Sequence, residues 1–289
     1  MADIKRRRVE NVAGDFYVDE TCIDCDTCRW MAPEVFREEG GQSAVYLQPK
    51  DDSQRTKALQ ALVACPTASI GVTPHDSKLK KAVESFPIPV EENVAHCGFH
   101  AEGSFGAASY LIQRKEGNVL VDSPRFAAPL VKKLEGMGGV RYLFLTHRDD
   151  VADHALFRKH FGCERILHLG DVEPDTEQVE IKPEGKEEFS LADDLKIIPV
   201  PGHTEGHLVL LYKNKFLFTG DHLAYSTSLN QLIGFREVCW YSWPELVVST
   251  EKLLNYEFEW VLPGHGRRFH ASKELMKIEI KKCLEWMKK

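Results

Sequence analysis

The sequence lacks the features that mark membrane, exported and nucleic-acid-binding proteins. No stretch approaches the roughly 18 consecutive apolar residues of a membrane span, and no apolar run follows the basic residues near the N-terminus. The formal net charge of −7 also argues against nucleic acid as the main partner. We therefore expect neither a membrane nor a nucleic-acid partner, and a reducing, cytoplasmic compartment in which cysteines stay unpaired.

Cysteine, by contrast, is concentrated at one end of the chain. Four of the eight cysteines lie in the first quarter, as Cys22-Ile-Asp-Cys25-Asp-Thr-Cys28 and then Cys65-Pro66. A cubane iron–sulfur cluster takes one thiolate per iron, and a loop with this spacing can wrap three of its corners. A structural zinc site normally uses two Cys-x2-Cys pairs, which fits this spacing poorly. Since no second Cys-x2-Cys-x2-Cys run exists, the sequence predicts a single cluster held by these four cysteines.

This segment resembles a bacterial-type ferredoxin with a single [4Fe–4S] cluster. The resemblance covers about 60 residues and includes the Cys-Pro-Thr-Ala-Ser-Ile stretch that ends at Ile70. Acidic residues surround the motif without an intervening base. They form either an ordinary solvated face or a surface that steers a basic redox partner protein.

A second set of chemical residues follows the predicted strands in the rest of the chain. The buried strand from Val140 to Thr146 ends at a loop rich in histidine and aspartate, and three later apolar strands end similarly. Imidazoles and carboxylates that converge from four loops suit a binuclear zinc or iron centre. The candidate residues in chain order are His147, Asp149, Asp150, Asp153, His154, His203, Asp221 and His265.

The order of these motifs resembles the metallo-β-lactamase superfamily, in particular its hydroxyacylglutathione-hydrolase-like branch. The resemblance covers about 190 residues and includes the Gly106-Ala-Ala-Ser-Tyr-Leu-Ile112 strand and the Val121-Asp122 hairpin. It implies an αββα sandwich with two metal ions at its edge. It further implies that His147 and His203 bind the first ion, that Asp153, His154 and His265 bind the second, and that Asp221 bridges them.

Two departures from that family's pattern bear on the metal and the substrate. The first loop is two residues longer than His-x-His-x-Asp-His and lacks the middle histidine. Three interpretations follow: Asp149 supplies an oxygen in place of that histidine, Asp150 does so after a shift of the loop, or the first metal site is weak or empty. Flavodiiron relatives carry a carboxylate there and bind iron, and oxygen ligands favour iron or manganese over zinc. We expect one or two ions of iron, zinc or both.

The second departure concerns the C-terminal region that holds glutathione in hydroxyacylglutathione hydrolases. Only 24 residues follow His265, which argues against glutathione thioesters as substrates. Arg267 and Arg268 are expected to be surface charges, and Trp240 to pack in the core rather than in a pocket wall.

The chain is therefore predicted to be a two-domain α+β protein. A small ferredoxin-like α+β domain spans residues 1–75, a connecting segment spans 76–92, and an αββα metallo-β-lactamase-like domain spans 93–289. The proline-rich stretch near Phe86 marks the connection because it favours an extended backbone.

The leading functional hypothesis is a metal-dependent hydrolase of a small ester or thioester, in which the cluster serves electron transfer or redox regulation. Asp153 or Asp221 would hold the nucleophilic water and relay its proton. The alternative is an oxidoreductase in which the ferredoxin cluster feeds electrons to a non-haem iron centre. A third hypothesis makes the cluster a structural or sensory element. Proteins that join such modules occur in photosynthetic organisms, so the chloroplast stroma is the alternative location.

Overall fold

The computed structural model describes residues 2–289 and begins with a small α+β module. Its elements are β1 (Phe16–Val18), α1 (Thr27–Met31), β2 (Phe36–Glu39), β3 (Gln42–Val45), α2 (Asp52–Ala64) and β4 (Ile70–Val72). Strands β1 and β4 pair in antiparallel fashion, and β2 and β3 form a hairpin. Asp51 caps α2 by accepting a hydrogen bond from the Gln54 amide, and the helix ends directly before Cys65-Pro66.

The segment that was predicted to connect the two modules contains regular structure. Helix α3 (Leu79–Glu84) is followed by strand β5 (Ile88–Glu91), whose extended backbone agrees with the proline-rich sequence. Strand β5 pairs with the next strand, so the end of this segment is the edge of a larger sheet.

That larger sheet is the first of two six-stranded sheets. Its further elements are β6 (Val94–His96), β7 (Tyr110–Ile112), β8 (Val119–Val121), α4 (Ala128–Gly136), β9 (Tyr142–Phe144), α5 (His154–Phe161) and β10 (Glu164–Ile166). The strand order is β10-β9-β8-β7-β6-β5. Strands β8, β9 and β10 are parallel, whereas the predicted hairpin β7–β8 and the pairs beyond it are antiparallel.

The second sheet contains the remaining long strands. Its region comprises β11 (Phe189–Ala192), β12 (Leu195–Pro199), β13 (Leu208–Tyr212), β14 (Phe216–Gly220), β15 (Ala224–Ser226), β16 (Gln231–Ile233), α6 (Trp243–Lys252), β17 (Trp260–Pro263), β18 (Phe269–His270) and α7 (Lys273–Met287). The order in the sheet is β11-β12-β13-β14-β17-β18, and β15 pairs with β16 outside it. Strand β17 runs parallel to β14, so both carboxyl ends reach the same edge.

The two sheets pack face to face with helices on both outer faces. Side chains of both sheets, such as Tyr110, Phe144, Phe216 and Phe218, form one fully buried cluster between them. Helices α6 and α7 cover the outer face of the second sheet, while α4 and α5 cover part of the first. This arrangement confirms the predicted αββα sandwich. None of the helices described between residues 2 and 289 has the length and apolar character to cross a bilayer.

The small module packs directly on the first sheet. Phe16 and Leu59 of the small module belong to the same buried cluster as Leu111 and Leu120 of β7 and β8. The contact is tightest at Gly106, whose φ is +84°. A Cβ at Gly106 would lie 2.8 Å from Cβ of Cys25 and 3.1 Å from Cγ of Pro66. The loops that carry the cysteines are thus held against the segment that precedes β7 of the sandwich.

We expect Gly106→Ala to loosen this contact, because alanine disfavours positive φ and its methyl group overlaps Cys25. The predicted loss of unfolding free energy is about 1–3 kcal/mol. Calorimetry and the decay of iron–sulfur absorbance in the reconstituted chain measure the effect.

Gly103→Ala is the matched control, since a Cβ there meets nothing within 4 Å. Equal behaviour of the two variants would contradict the proposed role of this contact.

Candidate metal centres

The four cysteines of the first motif lie around one small cavity. Cys22 and Cys25 belong to the loop before α1, Cys28 lies in α1, and Cys65 directly follows α2. None of these four forms a disulfide. Burial raises the pKa of Cys25 to about 11 and raises that of Cys28 as well. Four thiols that converge in this way, two of them buried and two half-buried, fit a group that supplies positive charge, as the irons of a cluster do.

Neighbouring polar groups are placed to hydrogen-bond the cysteine sulfurs. The Ser69 amide donates to Cys65 Sγ over 3.3 Å, and Thr27 Oγ1 lies 3.4 Å from Cys25 Sγ. Hydrogen bonds to cluster sulfurs influence the reduction potential.

A second group of ligand atoms lies where strands of both sheets end. His147 follows β9, His203 lies between β12 and β13, and Asp221 directly follows β14. Asp149 Oδ2 lies 3.7 Å from His147 Nε2 and 3.3 Å from His203 Nε2, and Asp221 Oδ2 lies 3.8 Å from each of these nitrogens. Ligands about 2.1 Å from one tetrahedral ion lie about 3.4 Å from one another. These nitrogen–oxygen spacings fit ligands of a shared ion, and His147 belongs to two candidate ligand groups, one with Asp149 and His203 and one with Asp150 and Asp221.

The hydrogen bonding of these residues agrees with a metal site. Nε2 of His147 and both ring nitrogens of His203 are buried without a hydrogen-bond partner. Thr146 Oγ1 donates to Asp122 and lies 2.9 Å from Nδ1 of His147, so that nitrogen carries a hydrogen and donates to it. The Nε2 lone pair of His147 thus faces the group, as a metal ligand requires.

Burial and local charges set the protonation states that a metal ion needs. Burial lowers the pKa of His147 to about 4, so its imidazole is neutral at pH 7. Burial opposes ionisation of Asp149, but the neighbouring His203 and His147 outweigh it and lower its pKa. Neutral imidazoles and ionised carboxylates are the forms that bind divalent cations.

The structure does not bring Asp153 and His154 to this group. The Asp153 carboxylate accepts a hydrogen bond of 2.7 Å from the Phe126 amide, and His154 Nδ1 lies 3.1 Å from an Arg165 nitrogen. Both residues begin helix α5, which turns them towards the outer side of the first sheet. Their predicted contribution to a second ion therefore lacks geometric support.

Asp150 lies at the site instead, next to His147 and Asp221. It is 1% exposed, and neither of its carboxylate oxygens has a hydrogen-bond partner. Burial, reinforced by the charge of Asp221, raises its pKa well above the ordinary value. The two extra residues of the loop are accommodated by a single 3₁₀ turn, Arg148–Asp150. This turn directs Asp149 and Asp150 towards the pocket.

His265, the last predicted ligand, makes a different contact from the one expected. Its Nδ1 lies 2.8 Å from Asp221 Oδ1, and its Nε2 lies 3.4 Å from the Phe105 carbonyl oxygen. Burial lowers its pKa, but Asp221 outweighs burial and raises it to about 10. His265 thus donates a hydrogen bond to Asp221 and orients it.

The ligand group opens into a pocket of about 610 Å³ whose walls come from both modules. Residues 24–26 of the cysteine loop form one side of this pocket. The sequence did not predict this role, because a single sequence does not show that two distant motifs lie next to each other in the fold. Trp240 lines the opposite side and donates a hydrogen bond of 3.1 Å to Asp149, so its expected core position was wrong. Arg267, expected to be a surface charge, binds Asp26 across the module boundary.

Comparison with known proteins agrees with both modules. Residues 18–72 match the family described as the 4Fe-4S single cluster domain of Ferredoxin I. The predicted ferredoxin resemblance is thereby confirmed, and with it an iron–sulfur type of domain.

The second module is similar to a hydrolase in sequence and to metallo-β-lactamases in fold. The hydroxyacylglutathione hydrolase of Pelagibacter ubique (strain HTCC1062) is 32% identical over 122 residues, which are 40% of this chain and 50% of that protein. The chain therefore spans about half the length of this curated relative. DIM-1 metallo-β-lactamase superposes with a TM-score of 0.53 at 17% identity, over 68% of this chain and 95% of that one. VMB-1 gives 0.51 at 18% identity, over 69% and 94%. The chain thus has the metallo-β-lactamase fold.

We expect Asp149→Asn to weaken metal binding, because the amide oxygen lacks the charge of the carboxylate. The affinity for zinc or ferrous iron should fall by at least about tenfold. Metal per chain after dialysis, together with a chelator competition titration, measures this change.

Asp153→Asn is the matched control and should retain wild-type metal content. Loss of metal in this variant, with retention in Asp149→Asn, would reverse the assignment of the two residues.

Proposed function

We propose that the chain is a metal-dependent hydrolase that acts on a small substrate with an ester or thioester carbonyl. The observation that carries this proposal is that one carboxylate oxygen of Asp149 and one of Asp221 each lie 3.3–3.8 Å from Nε2 of both His147 and His203, beside an open pocket. The metallo-β-lactamase fold and the partial likeness to a hydroxyacylglutathione hydrolase support it. In this proposal His147, Asp149, His203 and Asp221 hold the ion.

An ion bound there would polarise the substrate carbonyl and lower the pKa of a coordinated water. The chain itself positions the reacting groups. His265 donates to Asp221 and fixes the orientation of that carboxylate, and Trp240 does the same for Asp149. Asp150 lines the pocket and neither of its carboxyl oxygens has a hydrogen-bond partner, which suits it to bind a water molecule next to the ion. By position, Asp150 takes the role that the sequence assigned to Asp153.

His203→Ala should abolish most hydrolysis by removing one ligand of the ion. We expect kcat/KM on the best substrate of an ester and thioester panel to fall by at least about a hundredfold. Initial rates are measured anaerobically on zinc, iron and manganese forms that retain the cysteine-bound cluster.

His160→Ala, a change at an outer position of α5, is the control and should keep the wild-type rate. Absence of turnover on every substrate and in every metal form, with both centres intact, would contradict a hydrolase.

A specific observation favours redox chemistry as the second candidate function. Cys25 lines the same pocket as His203 and Asp221, so the cluster-binding loop and the histidine–aspartate group share one cavity. In this candidate the cysteine module passes single electrons to an iron ion at the second site. A redox partner protein supplies them. The carboxylate Asp149 at a position where histidine is usual suits iron.

The redox candidate predicts that the second site binds iron and responds to the state of the cluster. Stepwise reduction of the anaerobically purified chain should change the paramagnetic signal of the iron at that site. The zinc-loaded chain is the control and should show cluster signals alone. Full zinc occupancy of the purified protein would end this candidate.

A further inference from the structure

The pocket above the histidine–aspartate group is built by two modules with different chemistry. Asp24, Cys25 and Asp26 belong to the cysteine loop, whereas His203 and Asp221 belong to the sandwich. Its volume of about 610 Å³ is that of a pocket for a small organic ligand. A molecule bound to the ion would therefore lie against the cysteine loop as well.

Large apolar side chains are exposed around the mouth of this pocket. Phe105 is 54% exposed and Trp240 is 58% exposed, and both line the cavity together with Phe235 and Val238. The ring of Phe105 lies 6.1 Å from that of His265, and the Trp240 indole is fixed by its hydrogen bond to Asp149. Exposed aromatic surface next to a ligand group is typical of a binding site for an apolar ligand.

Carboxylates are the most numerous charged groups in the pocket lining. The carboxylates that line it belong to Asp24, Asp26, Asp149, Asp150 and Asp221, and no lysine or arginine lines it within residues 2–289. The neighbouring arginines are already paired. Arg29 binds Asp24 at 2.7 Å and also Asp26, and Arg267 binds Asp26. His265, which also lines the pocket, is hydrogen-bonded to Asp221.

These pairings leave no free cation to bind a carboxylate or phosphate of a substrate. The cysteine loop presents Asp24 and Asp26 to the pocket in ion pairs with these arginines, so an anion that enters would lose its hydration without gaining a counter-ion. One uncharged polar group is available instead. Ser104 Oγ lines the pocket, is buried and has no hydrogen-bond partner.

We propose that the site selects substrates whose organic part is uncharged and aromatic or branched apolar, because Asp24 and Asp26 of the cysteine loop occupy the neighbouring arginines and leave no counter-ion for an anionic group. This inference rests on the proposed metal site, and it does not require a particular reaction. The ferredoxin-like module is then a part of the substrate site as well as an iron–sulfur domain.

Hydroxamates test the proposal by binding alone, because they chelate a metal ion without being turned over. The zinc-loaded chain with its cluster intact is titrated with acetohydroxamate, benzohydroxamate and 4-carboxybenzohydroxamate. Tryptophan fluorescence and calorimetry give the dissociation constants. The phenyl group should tighten binding about tenfold over the methyl group. The added carboxylate should weaken binding about tenfold relative to benzohydroxamate.

Two variants assign these preferences to residues. Asp24→Asn should reduce the penalty on the carboxylate probe at least threefold, since an uncharged amide replaces the acid. Asparagine tolerates the positive φ of 61° at this position. Phe105→Ala should reduce the preference for phenyl over methyl. Asp52→Asn, the same change at a remote surface position of the same module, should alter neither ratio.

The outcomes separate this inference from the proposed hydrolase. The predicted ratios without turnover of any ester support the inference and oppose the hydrolase. Ester turnover with equal affinity for the three hydroxamates overturns the inference alone. Identical ratios of the dissociation constants in Asp24→Asn and Asp52→Asn would show that the cysteine loop takes no part in substrate selection. Failure of all three hydroxamates to bind overturns the inference together with its metal site.

Discussion

The contact between the cysteine loop and the loop that precedes β7 determines most of what this molecule can do. Gly106 lies against Cys25 without room for a side chain, and its carbonyl oxygen accepts a 2.6 Å hydrogen bond from His100. Arg267, after β17, holds Asp26 from the other side. Because these contacts join a shared buried core, the four cysteines have a fixed position relative to the histidine–aspartate group. A flexible tether would not allow a common pocket.

The same contact between the modules buries two histidines, and both stay neutral. His100 Nδ1 donates to Gly106, so its Nε2 accepts from His96 over 2.8 Å. Burial lowers the pKa of His100 to about 3, and that of His96 falls as well, which keeps both rings neutral. Arg268 lies 4.6 Å from the centre of the Trp30 ring and 5.1 Å from that of Tyr110. Polar groups that are satisfied within the interface make a fixed orientation of the modules stable.

The sequence was sufficient for the parts that repeat a local pattern. Cysteine spacing predicted the first site, and ligands at strand ends predicted the placement of His147, His203 and Asp221. The sequence was insufficient where tertiary contacts determine which of two nearby residues lies at the site. Asp150 and Asp153 are chemically alike, and the choice depends on a 3₁₀ turn and on a hydrogen bond from the distant Phe126 amide. Module docking was likewise unpredictable, because its contacts join residues far apart in the chain.

The loss of Asp153 and His154 from the site has a consequence for the number of ions. Next to Asp221, both nitrogens of His265 face oxygen atoms of Asp221 and Phe105, whereas neither carboxyl oxygen of Asp150 has a hydrogen-bond partner. Instead, His265 donates a hydrogen bond to Asp221. Two imidazoles and two carboxylates remain for one ion, and their combined charge of −2 balances a divalent cation. The geometry thus brings His147 and His203 together with Asp149 and Asp221, and Asp150 forms a second candidate ligand group with His147 and Asp221.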